Sequence, residues 1–453
     1  MTELTKIAET SEDLIAPVTV PADAYISRDY AAAEQERLWR KVWLQAGRIE
    51  DIPEVGNYIT YDILGDGVII VRTGETGIRA FHNVCPHRGR RLIDVSPGRH
   101  NARGKTANFI CGYHAWTFNL EGRCTYIEHE ADWQGALNEQ RTSLGKVRVD
   151  TWGGWLWINL DPDAADLATY LDPVPAMLDP YQLQNMRPRW RKWIVFDCNW
   201  KVALEAFFET YHVASTHPEF NEFGQFRGWA HTHGLHANIG YEAPKGMEED
   251  SGKLRVGTGA DPRVTTAEMQ NFTWANANTN TTRTLVDAAN SLVDELPEGT
   301  PAADVSRHWI QSARAADAAR GVIWPVVEPA HVARAGTAWQ LFPNFQIGHA
   351  VNNMLCYGAR PYNDDPDKCI FEAAVYELYP AGEAPETDWE YTRAEDWPPV
   401  LQQDFANMAA VQQGMKNVGF RGTQPNPYME RSVASLHLNL SKFMGVGAPR
   451  TAP

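Results

Sequence analysis

Cys85-Pro-His87-Arg-Gly89 and Cys111-Gly-Tyr-His114-Ala-Trp116 are the two stretches that decide the fold. Each carries one Cys and one His, and residues 88–110 lie between the two pairs. A Cys₂His₂ zinc finger groups its Cys in one half and its His in the other. Mixed pairs instead suit a [2Fe–2S] cluster with both Cys on one iron and both His on the other. Pro86, Gly89 and Gly112 place both pairs at strand–turn junctions, as two loop tips gripping a cluster require. On these residues alone a structural zinc ribbon is the alternative.

Short strands surround these loops. Tyr58–Ile63 and Gly67–Val71 flank Gly65-Asp66, a hairpin signal. Further strands are expected at Ile78–Asn83, Asn108–Cys111, Thr117–Leu120 and Trp155–Leu160. Before them, Leu38, Val42, Trp43 and Leu44 predict a helix over Ala31–Ala46. The expected organisation is an arm and helix start over 1–39, an all-β domain over 40–160, and a second domain over 161–453. The second domain mixes strands (Lys192–Cys198, Trp339–Ile347, Asn353–Pro361, Ile370–Tyr379) with helices (Trp200–His212, Asp304–Ala319, Val400–Lys416), and Leu436–Met444 ends it. Residues 245–303 read as a polar excursion of loops and short helices. The fold class is therefore α+β.

A second constellation lies in Asn199–Pro218, NWKVALEAFFETYHVASTHP. Trp200, Leu204, Phe207, Phe208 and Tyr211 make an apolar stripe, and Lys201, Glu205, Glu209 and His212 share the opposite face. His212 and His217 stand about 140° apart on a straight helix, so they cannot face one metal from it. Pro218 disfavours helical geometry at His217, so the helix should end near Ala214–Thr216 and let the chain fold back. Two His and one carboxylate form the facial triad of Fe(II) oxygenases. Asp404 is the candidate carboxylate and Asp396 its nearest rival; by spacing alone Asp404 reads as a solvated helix residue.

Taken together, C-P-H-R-G, C-G-Y-H-A-W-T-F-N-L-E-G, N-W-K, E-x-x-x-E-x-Y-H-x-x-x-x-H-P and a downstream D-x-x-N-M resemble the Rieske non-haem iron ring-hydroxylating oxygenases, α (terminal oxygenase) subunit. The resemblance covers residues 35–445. It implies a small Rieske [2Fe–2S] domain held by Cys85, His87, Cys111 and His114, and a larger helix-grip-like catalytic domain with an antiparallel sheet and long helices. It also implies His212, His217 and Asp404 as ligands of a mononuclear Fe(II). Glu209 takes the place of the family's bridging carboxylate, usually Asp, which joins a cluster His of one subunit to an iron His of its neighbour in a head-to-tail trimer. Ala206 stands where many relatives carry Asn, and Ala206, Phe207 and Val213 are candidates for the substrate pocket. The residues Ser96–Lys105 lengthen the spacer and read as a surface insertion. The implied activity is oxidation of a small aromatic molecule with O₂, by hydroxylation or N- or O-dealkylation, with aromatic cis-dihydroxylation as the alternative. The implied partners are a ferredoxin or an NAD(P)H-dependent reductase and a homotrimer, with or without β subunits. The chain shows no G-x-G-x-x-G fingerprint after a strand, which points to a separate reductase.

Composition sets the outer bounds. Lys and Arg number 41 against 57 Asp and Glu, so the net charge of −16 argues against a nucleic-acid partner. Hydrophobic content of 43% with 22% charged residues is that of a globular chain. Six Cys are too sparse for a disulfide scaffold, and Cys124, Cys198, Cys356 and Cys369 lack ligand-spaced partners. The dense group His231, His233 and His236 reads as a polar loop or strand end rather than an accessory metal site. No signal-like start and no membrane-length apolar run is present, so a cytoplasmic protein is expected.

Overall fold

In the computed structural model, residues 16–243 and 260–451 are described. The described residues form two compact units, one of 32–172 with 361–364, the other of 16–31, 173–243, 260–360 and 365–451. The first unit is thus wider than the expected 40–160.

The smaller unit holds two antiparallel sheets. Its strands are β1 (Leu44–Arg48), β2 (Asn57–Ile63), β3 (Asp66–Arg72), β4 (Ile78–His82), β5 (Arg103–Lys105), β6 (Asn108–Ile110), β7 (Thr117–Asn119), β8 (Cys124–Tyr126), β9 (Lys146–Trp152) and β10 (Trp155–Asn159). One sheet runs β1-β10-β9-β4-β3-β2-β5 and the other β6-β7-β8. Ile63 pairs with Asp66, so the hairpin turn is Leu64-Gly65 rather than Gly65-Asp66. The helix expected over Ala31–Ala46 stops early. An α-helix over Arg28–Glu34 gives way to a π turn over Gln35–Trp39, and Leu44–Arg48 is a strand. Leu44, Ala46 and Arg48 alternate inward along it, and Gly47 sits at φ +150, which no helix residue holds. The Ser96–Lys105 segment is not wholly a surface excursion either: Arg103–Lys105 pairs with Asn57–Ile59 as a sheet edge. Trp43, Trp155 and Trp157 are buried in this unit, each with the apolar area to stabilise it by a few kcal/mol, roughly 2–3 each.

The larger unit is built on one eight-stranded sheet. Its strands are β11 (Arg187–Phe196), β12 (Arg227–His233), β13 (His236–Glu242), β14 (Ala338–Leu341), β15 (Phe345–His349), β16 (Asn353–Tyr362), β17 (Asp365–Glu377) and β18 (Trp389–Tyr391). Their order is β12-β13-β14-β15-β16-β17-β11-β18, all antiparallel except β11 beside β18. The Trp339–Ile347 strand is in fact two strands, because Phe342-Pro343-Asn344 turns the chain and Leu341 pairs with Phe345. The helices that matter for the site are α1 (Trp200–Glu205), α2 (Val213–Thr216), α3 (Pro399–Gly414) and α4 (Arg431–Met444). Of the polar excursion, residues 245–259 lie outside the described residues. The remainder is helical, with segments Pro262–Phe272 and Arg283–Asn290 packed against Ala302–Ala319. Among the described residues no helix is long and apolar enough to cross a membrane.

Candidate metal centres

The two Cys–His loops of the small unit are built to one plan by the backbone. The Cys85 N–H donates to the Arg90 carbonyl (2.8 Å), and the Gly89 N–H donates back to the Cys85 carbonyl (3.0 Å). In the second loop the Cys111 N–H donates to Trp116 (2.9 Å) and the Ala115 N–H to Cys111 (3.0 Å). The fourth residue after each Cys turns left-handed, Gly89 at φ +75 and Ala115 at φ +57. Cys85 and Cys111 are buried side by side, and burial with the neighbouring thiol pushes Cys85 up to about 11. A thiol so raised becomes a thiolate only beside a cation that neutralises it. The His87 and His114 rings lie 4.6 Å apart, with His87 stacked on Trp116 at 4.9 Å. The His114 Nδ1 is buried with no hydrogen-bond partner among the described residues, as a ligand atom would be.

In the large unit, His212, His217 and Asp404 each offer one ligand atom, all within 4.8 Å of one another. The Asp404 Oδ1 stands 3.0 Å from His217 Nε2 and 3.5 Å from His212 Nε2. It is buried and accepts no hydrogen bond among the described residues. The helix predicted over Trp200–His212 breaks after Glu205 to make this possible. Glu209 supplies a physical reason. Its Oε2 accepts the backbone N–H of Tyr211 and of His212 (3.1 Å to the latter), a local bond that competes with helix hydrogen bonding. The shared face of Lys201, Glu205, Glu209 and His212 therefore does not exist, and Tyr211 leaves the apolar stripe for solvent. The second turn, Val213–Thr216, ends where Pro218 predicts, and His217 is non-helical at φ −122, ψ 63.

Each imidazole is aimed by its other nitrogen. The His212 Nδ1–H donates to Glu209 Oε1 at 2.6 Å. The His217 Nδ1–H donates to Gln403 Oε1 at 2.7 Å. Gln403 is held in that orientation because its amide N–H donates to Glu219 Oε1 (3.0 Å), a carboxylate that can only accept. With both Nδ1 atoms protonated, two bare Nε2 lone pairs and a carboxylate oxygen face one another. Three acceptors without a proton between them repel, and a cation resolves the repulsion. Burial works against an imidazolium at His212, but Glu209 outweighs it by hydrogen bond and charge, aided by Asp404 and Glu430, and raises its pKa. Behind Glu209, burial and the charges of Glu209 and Glu205 raise the Glu430 carboxyl to about 7.

Residues 183–445 match the family described as ring hydroxylating alpha subunit (catalytic domain). The chain belongs to that family. Residues 42–142 match the Rieske [2Fe-2S] domain, so this ring-hydroxylating alpha chain joins a Rieske domain to the catalytic domain. Its cofactors are accordingly a Rieske [2Fe–2S] cluster and a mononuclear iron, and the donor sets described above fit both. Among similar curated proteins is the carnitine monooxygenase oxygenase subunit of Acinetobacter baumannii, 30% identical over 260 residues, 56% of this chain and 66% of that protein. The glycine betaine monooxygenase oxygenase subunit of Pseudomonas aeruginosa is 32% identical over 201 residues (44% and 45%). The benzene 1,2-dioxygenase alpha subunit of Pseudomonas putida is 34% identical over 199 residues (42% of each). The matched part spans less than two thirds of the length of each. Similar solved structures include a quaternary ammonium Rieske monooxygenase with L-carnitine, with TM-score 0.63 and 18% identity, covering 95% of this chain and 97% of that one. Naphthalene 1,2-dioxygenase from Rhodococcus sp. gives TM-score 0.59 at 18% identity over 97% of each chain. These structures share the α+β fold of a Rieske domain and an antiparallel-sheet catalytic domain.

Of the other sequence candidates, Asp396 lies in a short 3₁₀ turn, paired with Arg393 at 2.8 Å, and stands apart from the triad. Phe207 stacks on Tyr357 at 3.8 Å, while Ala206 and Val213 are half-buried on either side of the Glu209 turn. His231, His233 and His236 lie on the β12–β13 hairpin; His233 bonds Asn238 (3.0 Å) and His236 accepts the Phe342 N–H (3.1 Å). Gln403 and Glu219 are the residues sequence reading missed. Their signal was adjacency alone: each lies within two residues of a candidate ligand.

Proposed function

We propose that this chain is the terminal oxygenase of a multicomponent Rieske oxygenase, and that it monooxygenates a small quaternary ammonium compound. The observation that carries the oxygenase reading is the convergence of His212 Nε2, His217 Nε2 and Asp404 Oδ1, with both imidazole protons directed away from the centre. His212, His217 and Asp404 would hold an Fe(II), which would supply the activation of O₂. Overall, R–H, O₂, two electrons and two protons give R–OH and water. On an N-methyl group the product collapses to an amine and formaldehyde.

The chain's own residues position and insulate. Glu209 and Gln403 lock the imidazole tautomers. Phe207 and Tyr357 stack beside the triad, and burial followed by the Asp404 charge keeps the Tyr357 phenol protonated, well above its ordinary pKa. Electrons come from a separate ferredoxin or reductase, delivered through Cys85, His87, Cys111 and His114. Arg88, lying over Tyr113 at 5.0 Å beside the cluster loops, suits an acidic donor. In a head-to-tail trimer, Glu209 would carry the coupling between a neighbour's His114 and His212.

The quaternary ammonium substrate replaces the aromatic one that the resemblance implied, supported by the named carnitine and glycine betaine relatives. The benzene dioxygenase relative favours a second reading, aromatic cis-dihydroxylation. Turnover with a generic reductase and ¹⁸O₂ tests both. One labelled oxygen in product, with formaldehyde released from a trimethylammonium compound, is expected. Two labelled oxygens on an arene would establish the second reading, and no iron-dependent O₂ consumption with any substrate would reject both.

A further inference from the structure

The sheet face that looks toward the iron-site loop carries polar groups that have no hydrogen-bond partner among the described residues. Ala237, Gln340, Gln346 and Tyr357 are direct cross-strand partners on β13, β14, β15 and β16, so their side chains share one face. That face meets the iron-site loop at both ends. At one end Tyr357 stacks on Phe207. At the other, β12 puts Gly228 so close to the loop that a Cβ there would clash with Thr210 Oγ1. Gly228 shares its face with Thr232, which pairs with Ala237, and this closes the row.

Between these two anchors stand the glutamines. Gln340 is 4% exposed, and both its amide oxygen and its amide nitrogen lack a hydrogen-bond partner among the described residues. Gln346 is 5% exposed and its amide oxygen is likewise unpartnered, as is the buried Thr210 hydroxyl across from the sheet. Their neighbours on the face are Ala237 in the same row and, in the next, the small Ala338–Gly348 pair between Ile239 and Leu355, none of which offers the amides a hydrogen bond. Buried amides are paired as a rule, and leaving them unpaired opposes folding. A site that holds them unpaired is complementary to a ligand that hydrogen-bonds them.

We infer that Gln340 and Gln346 read an oxygen-bearing head group, a carboxylate or hydroxyl, at the end of the substrate remote from the iron. This rests on the oxygenase reading above and deepens it. The site is then divided in two. The stacked Phe207 and Tyr357 rings flank the reacting end, where an N-methyl cation is favoured by aromatic faces. The amides lie one and two strands further on, about 5 and 10 Å away at ordinary strand spacing. A plain hydrocarbon would fill the first part and leave the amides unpaired.

The test is thermal melting of the iron-loaded protein, followed by tryptophan fluorescence, for wild type, Gln340→Leu and Gln346→Leu. The probes are carnitine, glycine betaine and choline, with tetramethylammonium and toluene as compounds lacking the head. At least one oxygen-bearing probe should raise the wild-type melting point and bind each Leu variant at least tenfold more weakly. Tetramethylammonium should bind all three proteins alike. Without a probe, the Leu variants should melt no lower than wild type, with unchanged cluster absorption and iron content. Lower melting would mean that the amides pair within the fold, and the inference would be withdrawn. It is equally overturned if no oxygen-bearing probe stabilises wild type, or if the Leu variants bind it undiminished. None of these results touches the oxygenase reading, which stands or falls on iron-dependent O₂ consumption by wild type.

Discussion

The two metal centres are assembled by opposite means. In the small unit each Cys–His pair sits in a loop of six residues closed by its own backbone hydrogen bonds, and the ligand spacing is written in adjacent sequence. In the large unit the iron site is gathered from a broken helix and from a helix far downstream, and its orientation comes from side chains. His217 and the Gln403 that aims it are 186 positions apart. A backbone-built site tolerates changes around it but not in its ligands. A side-chain-built site depends on a wider shell, and should degrade in steps as that shell is removed.

The largest effect expected is therefore at the cluster thiols. Cys85→Ser or Cys111→Ser should abolish the visible thiolate-to-iron absorption, because each supplies a charged ligand that serine does not replace. A mutant with the full spectrum would remove that Cys from the ligand set. Next comes Asp404→Ala, which should lose the catalytic iron and turnover by at least about 100-fold while the cluster spectrum persists. Normal turnover would mean that the third ligand lies elsewhere and that the acceptor convergence at Asp404 has another use.

The same contrast explains what could be read in advance. The Cys–His loops were legible because their chemistry is local: C-P-H-R-G and C-G-Y-H-A-W hold ligands, turn residues and closing bonds within six positions. His212 and His217 were legible through Pro218, which forbids the helical angle between them. The helix break after Glu205 was not, because Trp200–Tyr211 carries helical periodicity and only a side chain, Glu209, diverts the backbone. Asp404 came from resemblance, since a carboxylate on a helix has no local mark of its role. The Leu44–Arg48 strand was missed for a related reason: Leu38, Val42 and Leu44 fit both periods until Gly47 is seen at positive φ.

Two further substitutions grade the shell around the iron. Glu209→Gln keeps size but removes charge and an acceptor from the His212 Nδ1–H. Both metals should stay bound and the cluster should still reduce, while its reoxidation with substrate and O₂ slows by about 10–100-fold in rapid mixing. Wild-type reoxidation would leave Glu209 as a turn-forming residue only. Gln403→Leu removes a neutral partner from His217 and also frees Glu219. Iron affinity should fall by about tenfold, less than for Glu209→Gln in rate, because no charge is lost. Retained affinity measured by chelator competition would show that packing alone fixes the His217 ring.

The smallest effect tests the claim that the backbone builds the cluster loops. Gly89 and Ala115 occupy equivalent places, four residues after their Cys and both left-handed, yet only one is glycine. An L-residue pays about 1–2 kcal/mol for that conformation. A Cβ at Gly89 would meet no atom within 4 Å, so Gly89→Ala changes backbone strain and nothing else in the folded state. The stiffer unfolded chain returns about 0.4–1 kcal/mol of that, so the net loss for the small unit should be about half a kcal/mol. Ala115→Gly relieves the strain, but the freer unfolded chain takes back about 0.4–1 kcal/mol, so the net gain should be about half a kcal/mol. Urea melts followed by cluster absorption read both changes. Opposite signs of this size mean that the two loops share one backbone plan. If Ala115→Gly destabilises instead, the Ala115 methyl packs usefully against the cluster loop, and the second loop is held by a side chain after all.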